Sequence, residues 1–241
     1  MSTTGLFRSM ALTAALSLGA APAGAVTVWS AVDDFSIAAN PNGAWAYGEG
    51  TAGSSFTAFT NAFTGGFGGN FNYWQSSTPS SGVPLVGKNI GAVSVASGTV
   101  VVPLGALEIH PGPSTDVLVQ WTAPSASRYS YAGSFALQDI YPNGVIGEVY
   151  KNNAQLYSGL LTGPGASYPN AGQTELFSGA VSLSAGDKLT FAVNNAGNYY
   201  FDSTGLKATI TAVPEPSSWA LLLTGFAGLA LAARRRKAAL A

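Results

Sequence analysis

Apolar and polar residues alternate with a period of two through the second half of the chain, and that period predicts strands. Over residues 117–122, Val117, Val119 and Trp121 share one face. From Arg128 onward, Tyr129, Tyr131, Phe135 and Leu137 fall on one side, with Ser130, Ser134 and Gln138 on the other. Residues 145–150 predict a strand, 151–154 its hairpin turn and 156–160 the return. Residues 176–183, a tight turn at Ala185-Gly186-Asp187, and then Leu189, Phe191 and Val193 on one side continue the series; 199–202 and 206–211 complete it. Short strands separated by turn chemistry imply an antiparallel sandwich. No helical segment is needed between strands, which argues against a parallel α/β sheet.

The first half is less regular. Residues 26–36 read as an edge strand, and Asn40-Pro41-Asn42-Gly43 as a turn leading into Trp45 and Tyr47. Phe56, Phe59, Phe63 and Phe67 are spaced three or four apart, but Gly65, Gly66, Gly68 and Gly69 oppose a helix. The segment reads as irregular strands and loops, with the phenylalanines as core anchors. Residues 75–87, carrying Pro79 and Pro84, read as a linker. Residues 93–96, 98–102 and 107–110 read as short strands, the last stopped by Pro111-Gly112-Pro113.

Two apolar runs lie outside this pattern. Arg8, the run over 10–18, Gly19, Pro22 and the small residues Ala23 and Ala25 follow the order of a secretory signal peptide cut after Ala25. Signal peptidase and the Sec export machinery are the implied partners. At the other end, Val213-Pro214-Glu215-Pro216 precedes seventeen uncharged residues, 217–233, and then Arg234, Arg235, Arg236 and Lys237. At about 1.5 Å per residue the run covers ~25 Å of a ~30 Å hydrocarbon core. The basic cluster acts as a stop that stays cytoplasmic. The expectation is an all-β sandwich over 26–212, preceded by a signal-peptide helix over 1–25. It is followed, within 213–241, by a single transmembrane helix in the inner membrane.

Composition narrows the function classes. The chain has no cysteine, so disulfides and thiolate metal sites are excluded. Within residues 26–216, Lys88, Arg128, Lys151, Lys188 and Lys207 face all eleven acidic residues, a net charge of −6. A body of that sign lacks the cationic surface nucleic-acid binding needs.

Candidate chemistry is sparse. His110 is the single histidine, so any general base of that type must use it, yet no Gly-x-Ser-x-Gly elbow accompanies it. Asp116, Asp139, Glu148, Glu175, Asp187 and Asp202 supply carboxylates, but glycoside hydrolysis needs two held about 5–9 Å apart, which no spacing here encodes. Asp187 reads as a turn residue and Asp202 as a strand-end residue accepting loop amides. Asp139 continues the inward face of Phe135 and Leu137, with His110 or Arg128 as its partner. His110, Asp139 and Asp202 thus form a candidate polar cluster, and no catalytic residue is assigned. A structural calcium would draw on the carboxylates and the Asn152-Asn153 and Asn194-Asn195 loops, although no EF-hand-like spacing occurs. Trp45, Tyr47, Tyr73, Trp74, Tyr141, Tyr199 and Tyr200 offer faces for sugar stacking. Trp121 reads as core, and Tyr141 and Tyr200 as the best exposed ligand contacts.

Two resemblances add to this. His110 to Pro113, Trp121 with Pro124, Tyr129, Gly133, Phe135 and Asp139, Ser184 to Asp187, Phe191 to Val193 and Gly197 to Leu206 resemble a module of exported bacterial proteins. It implies a jelly-roll-like sandwich, similar in outline to carbohydrate-binding domains. The tail, with Pro214, Glu215 and Pro216 before the span and basic end, resembles the PEP-CTERM sorting signal. That likeness implies recognition of Pro-Glu-Pro by an exosortase-type processing enzyme in a Gram-negative bacterium, and a mature protein at the cell surface or in the matrix. The expected role is a non-enzymatic one in association with exopolysaccharide. The alternatives are a self-associating adhesive protein, a plain tail anchor, and a secreted glycan hydrolase.

Overall fold

The computed structural model describes residues 26–80, 82–213, 225–230, 232 and 234–236. The leader with Ala23 and Ala25, the motif Pro214, Glu215 and Pro216, most of the expected span and Lys237 lie outside the described residues. Residues 225–230 and 234–236 are helical, with Arg234, Arg235 and Arg236 exposed. Among the described residues, no helix is long and apolar enough to cross a membrane.

Val26–Pro214 forms one compact unit. Its early strands are β1 (Val28–Ser30), β2 (Trp45–Gly50), β3 (Thr57–Ala58), β4 (Asn61–Gly65), β5 (Phe71–Ser80), β6 (Val83–Asn89), β7 (Val95–Ser97) and β8 (Val100–Val102). The later ones are β9 (Leu107–His110), β10 (Asp116–Thr122), β11 (Ser127–Leu137), β12 (Val145–Lys151), β13 (Ala154–Leu161), β14 (Thr174–Leu183), β15 (Lys188–Asn194) and β16 (Thr204–Val213).

Two sheets form the sandwich. Sheet A runs β14-β11-β16-β9-β6-β5-β4, with β1 also on β16, and sheet B runs β13-β12-β15-β10-β2-β3. All strand pairs within them are antiparallel. The last eight strands alternate sheets except at the β12–β13 hairpin, giving β9-β16-β11-β14 against β10-β15-β12-β13. That is the strand order of a jelly roll.

The pleat places every second residue inward, and those residues are the large apolar ones. Trp45 and Tyr47 of β2, Val117, Val119 and Trp121 of β10, and Leu189, Phe191 and Val193 of β15 line sheet B. Tyr129, Tyr131, Phe135 and Leu137 of β11 and Leu206, Ala208 and Ile210 of β16 oppose them. Trp121 meets Trp29 edge-on at 5.1 Å and Tyr129 at 5.0 Å, the geometry ring quadrupoles favour.

Three sequence expectations change. Residues 75–87 form most of the β5–β6 hairpin, whose ladder is irregular between Gln75 and Ser80 around Pro79, which has no N–H to donate. Of the four phenylalanines only Phe59 enters the main core; Phe67 packs edge-on against Phe71 at 4.9 Å, and Phe63 is 40 % exposed and stacks on Tyr73 at 5.0 Å. Trp45, Tyr47 and Trp74, considered for sugar stacking, are core side chains. The β7–β8 hairpin forms a second small core with Phe71 and is stitched to the end of β11 by Val101 N–H donating to the Gln138 carbonyl at 2.7 Å.

Candidate functional site: an outer groove and a buried carboxylate cluster

Leu118 and Gln120 alternate with the core residues of β10 and so point to the outer face of sheet B, as does Thr190 of β15. All three are nonetheless buried: Leu118 is 1 %, Gln120 8 % and Thr190 4 % exposed. They form the floor of a groove of about 530 Å³, a volume suited to a small ligand. Gln120 Nε2 donates to Thr190 Oγ1 at 3.1 Å.

One wall is the chain from Gly53 to Phe56, folded back over the sheet between β2 and β3. It is held by Ala52 N–H, which donates to Asp116 Oδ2 at 2.8 Å, and by the Ser55 hydroxyl, which accepts from Thr51 N–H at 2.9 Å. The Phe56 ring lies so close over Gly48 that a Cβ there would stand 2.9 Å from it. The other wall joins two turns. Asn152, at φ 49°, accepts from Lys188 N–H at 2.9 Å through Oδ1 and donates to Asp187 Oδ1 at 3.1 Å. The Ser184 amide, first, and Asn152 then hold the Asp187 carboxyl below its ordinary range. Asn153 and Lys188 complete the rim. Among the described lining residues Asp187 is the one carboxylate, and it is engaged in its own turn. The groove therefore offers amide, hydroxyl and ammonium groups beside one aromatic ring, without the carboxylate pair that glycoside hydrolysis requires.

The expected polar cluster lies at the opposite end of the strands, where β9 ends and β16 begins. Asp139 acts electrostatically on Asp202 and His110, so the three are brought together, and Glu108 joins them. Glu108 is flanked by Gly87 of β6 and Gly205 of β16. Burial, with the Asp139 charge, pushes Asp202 up to about 8. Burial, partly offset by the Ser203 hydrogen bond and augmented by Asp139, pushes Glu108 up to about 7. Burial lowers His110, whose Nδ1 is 2.8 Å from the Pro111 carbonyl. Arg128, the other partner considered for Asp139, is exposed at the far end of β11. Asp202 accepts no loop amide: both its carboxylate oxygens are buried without a hydrogen-bond partner, because the loop turns its side chain inward.

Tyr141 (66 % exposed) and Tyr200 (55 % exposed) lie on connections at this same end, away from the groove. Tyr200 stacks on Tyr199 at 4.4 Å. Of the asparagines considered for calcium, Asn194 donates to Asp116 Oδ1 at 2.7 Å and Asn195 to the Gly112 carbonyl at 2.9 Å.

Fold and tail together define an antiparallel β-sandwich followed by a sorting segment. Residues 212–237 match the PEP-CTERM protein-sorting motif, which marks the chain as an exosortase substrate sorted to the cell surface. No curated protein matches the chain. Among solved structures, it is similar to a CBM51 domain of Clostridium perfringens GH95 in complex with methyl-galactose (13 % identity, 67 % of this chain, 99 % of that one, TM-score 0.32). A family 35 carbohydrate-binding module of Clostridium thermocellum is also similar (13 % identity, 44 % and 78 % covered, TM-score 0.30). So is the GH26-CBM35 β-(1,4)-mannanase of Podospora anserina (19 % identity, 52 % and 24 % covered, TM-score 0.30).

Proposed function

We propose that this chain is an exported, non-enzymatic surface protein whose sandwich binds neutral polysaccharide in the groove on sheet B. The observation that carries this reading is the buried pair Gln120 and Thr190, polar side chains on an outward sheet face at the floor of a groove. Hydroxyl-rich ligands are matched by such amide and hydroxyl groups, and the Phe56 ring adds an apolar face. The acidic body, with five basic residues against eleven acidic ones over 26–216, repels polyanions at long range and favours an uncharged glycan. The exosortase-processed tail is consistent with delivery to a place where such polymers occur.

The test is retention of Val26–Pro214, which carries its own core, on neutral polysaccharides from the cell envelope and matrix. Retention that falls at least tenfold in Gln120→Leu, and is unchanged in Tyr141→Ala and Tyr200→Ala, supports the groove. Retention lost only in the tyrosine variants places the ligand at the other end of the sandwich.

One observation favours a self-associating surface protein. Strands β13 and β14 each lie at one edge of their sheet, and Leu156, Leu160 and Leu176 are exposed on them at 40 %, 56 % and 75 %. Unpaired edges carrying apolar side chains template further strand pairing. Concentration-dependent assembly in the absence of glycan, suppressed by Leu176→Lys, is the result that selects this reading.

A further inference from the structure

On the outer face of sheet A, the side chains that alternate with the core residues of β11 are Ser134, Ala136 and Gln138. The register sets Ala136 beside Thr174 of β14 and Gly205 of β16, and Ser134 beside Lys207. Ala136 and Gly205 carry almost no side chain, so the sheet surface is hollow there. Pro103 and Ala106, in the connection before β9, and Asn170 and Ala171, before β14, wall the hollow into a cavity of about 270 Å³. The second wall is fixed by main-chain bonds. Gly172 N–H donates to the Leu137 carbonyl at 2.7 Å, and Leu137 N–H to the Gln173 carbonyl at 2.9 Å.

Small residues alone make only a depression; Gln138 adds an unmet chemical need. Its main chain is pinned on both sides, the N–H donating to the Ser203 carbonyl and the carbonyl accepting from Val101 N–H, each at 2.7 Å. Its side chain lines the cavity at 0 % exposure, and its amide lies over Gly205, where a Cβ would stand 2.8 Å from Nε2. Among the described residues neither Oε1 nor Nε2 has a hydrogen-bond partner. Burying an amide without replacing its bonds to water is unfavourable, so a group of this kind calls for a molecule outside the chain that completes it.

The unpaired amide also selects the ligand. It presents an acceptor at Oε1 and donors at Nε2. An anion supplies acceptors only and leaves Oε1 bare; an ammonium supplies donors only and leaves Nε2 bare. Two adjacent hydroxyls satisfy both ends, one donating to Oε1 and its neighbour accepting from Nε2. The rest of the polar lining, Ser134, Asn170, Thr174 and Lys207, includes no carboxylate and offers further donors to sugar oxygens. Ala106, Ala136 and Ala171 supply apolar contact for the C–H face of a ring. At about 270 Å³ the cavity lies under the ~300–1,000 Å³ of sites for drug-sized ligands, so it takes one ring and not a run of polymer.

We propose that the cavity on the outer face of sheet A binds a single neutral sugar residue, held by two neighbouring hydroxyls on the Gln138 side-chain amide. The residue is either a free sugar or the end unit of a glycan. The site lies on the other sheet from the groove of Gln120 and Thr190, and it stands whether or not that groove binds.

The experiment is NMR on isotope-labelled Val26–Pro214, with the Gln138 side chain assigned by triple-resonance methods. The probes are glucose, galactose and mannose and their methyl glycosides, each titrated to its solubility limit. The proposal predicts that at least one of them shifts the Gln138 side-chain amide resonances saturably, together with the backbone amides of Gly205 and Lys207. Binding of glycosides alone assigns a glycan end unit, and binding of both forms admits the free sugar; either result supports the site. Gln138→Met fills a similar volume without the amide, so it should melt at or above the wild-type Tm while binding at least tenfold more weakly. Gln120→Leu should leave this binding unchanged, which separates it from the sheet B groove. Still Gln138 resonances with every sugar, or a shift with sodium acetate in place of the sugars, overturn the proposal. So does a clearly lower Tm for Gln138→Met, which would mark the amide as a paired structural group. Should that variant fail to fold, the wild-type Gln138 resonances decide by themselves.

Discussion

Ser203 donates its hydroxyl to Glu108 Oε1 across 3.1 Å, and the other oxygen of that carboxylate has no hydrogen-bond partner. The bond joins residues ninety-five positions apart and ties the last long connection of the sandwich to β9. One donor does not offset complete burial, and Glu108 is raised to about 7, with Asp202 at about 8. Their ordinary values are 4.5 and 3.8. Between those ordinary values and the raised ones, the folded state binds more protons than the unfolded chain, so stability falls as pH rises through that window. Tm is expected to decline from about pH 5 to about pH 8 and to level off above it. A Tm that climbs over the same interval contradicts the burial of these groups as acids.

Gly48→Ala tests the groove wall. The new methyl would stand 2.3 Å from the Thr57 carbonyl oxygen and 2.9 Å from the Phe56 ring. Overpacking of this kind costs about 1–3 kcal/mol, and the displaced ring widens the groove. Chemical denaturation measures the first effect, and weakened glycan retention by the still-folded variant the second.

Trp121 is fully buried, with Trp29 and Tyr129 packed edge-on against it. Trp121→Ala is expected to lose about 3–5 kcal/mol, as large-to-small core substitutions do. Trp121→Phe keeps an aromatic face and should lose markedly less. Urea midpoints of the two variants, with unchanged slope, report the difference.

The sorting motif makes a cellular prediction. Replacing Pro214, Glu215 and Pro216 together by alanine should leave the protein in the inner-membrane fraction with its C-terminal segment intact. The wild type should reach the surface with a smaller mass. Mass spectrometry of both fractions checks this, and a full-mass wild type at the surface contradicts processing.

Most of the half of the sandwich that alternates with period two was legible, because each inward set (Val117, Val119, Trp121; Phe135, Leu137; Leu189, Phe191, Val193) faces one core; residues 199–202, expected as a strand, instead belong to the connection before β16. The β5–β6 hairpin was hidden by Pro79 and Pro84, local breakers that the irregular ladder between Gln75 and Ser80 accommodates. The polar cluster was half visible. Asp139 followed the inward face of β11, but Glu108 reads as an ordinary outward residue until Gly87, Gly205 and Ser203 are seen around it. The groove left no local trace. Gln120 sits where solvent is expected, and only the fold-back of residues 53–56, pinned by Asp116 from sixty-four positions away, buries it. Alternation specifies which face a side chain occupies, and it carries no information about what later covers that face.

The most direct test of polysaccharide binding in the groove is a crystal structure of Val26–Pro214 soaked with oligosaccharides cut from the neutral polysaccharide that retains it. The account predicts a sugar ring against Phe56, with its hydroxyls bonded to Gln120, Thr190 and Lys188. A sugar seated on Tyr141 or Tyr200, or a vacant groove at saturating ligand, would contradict it.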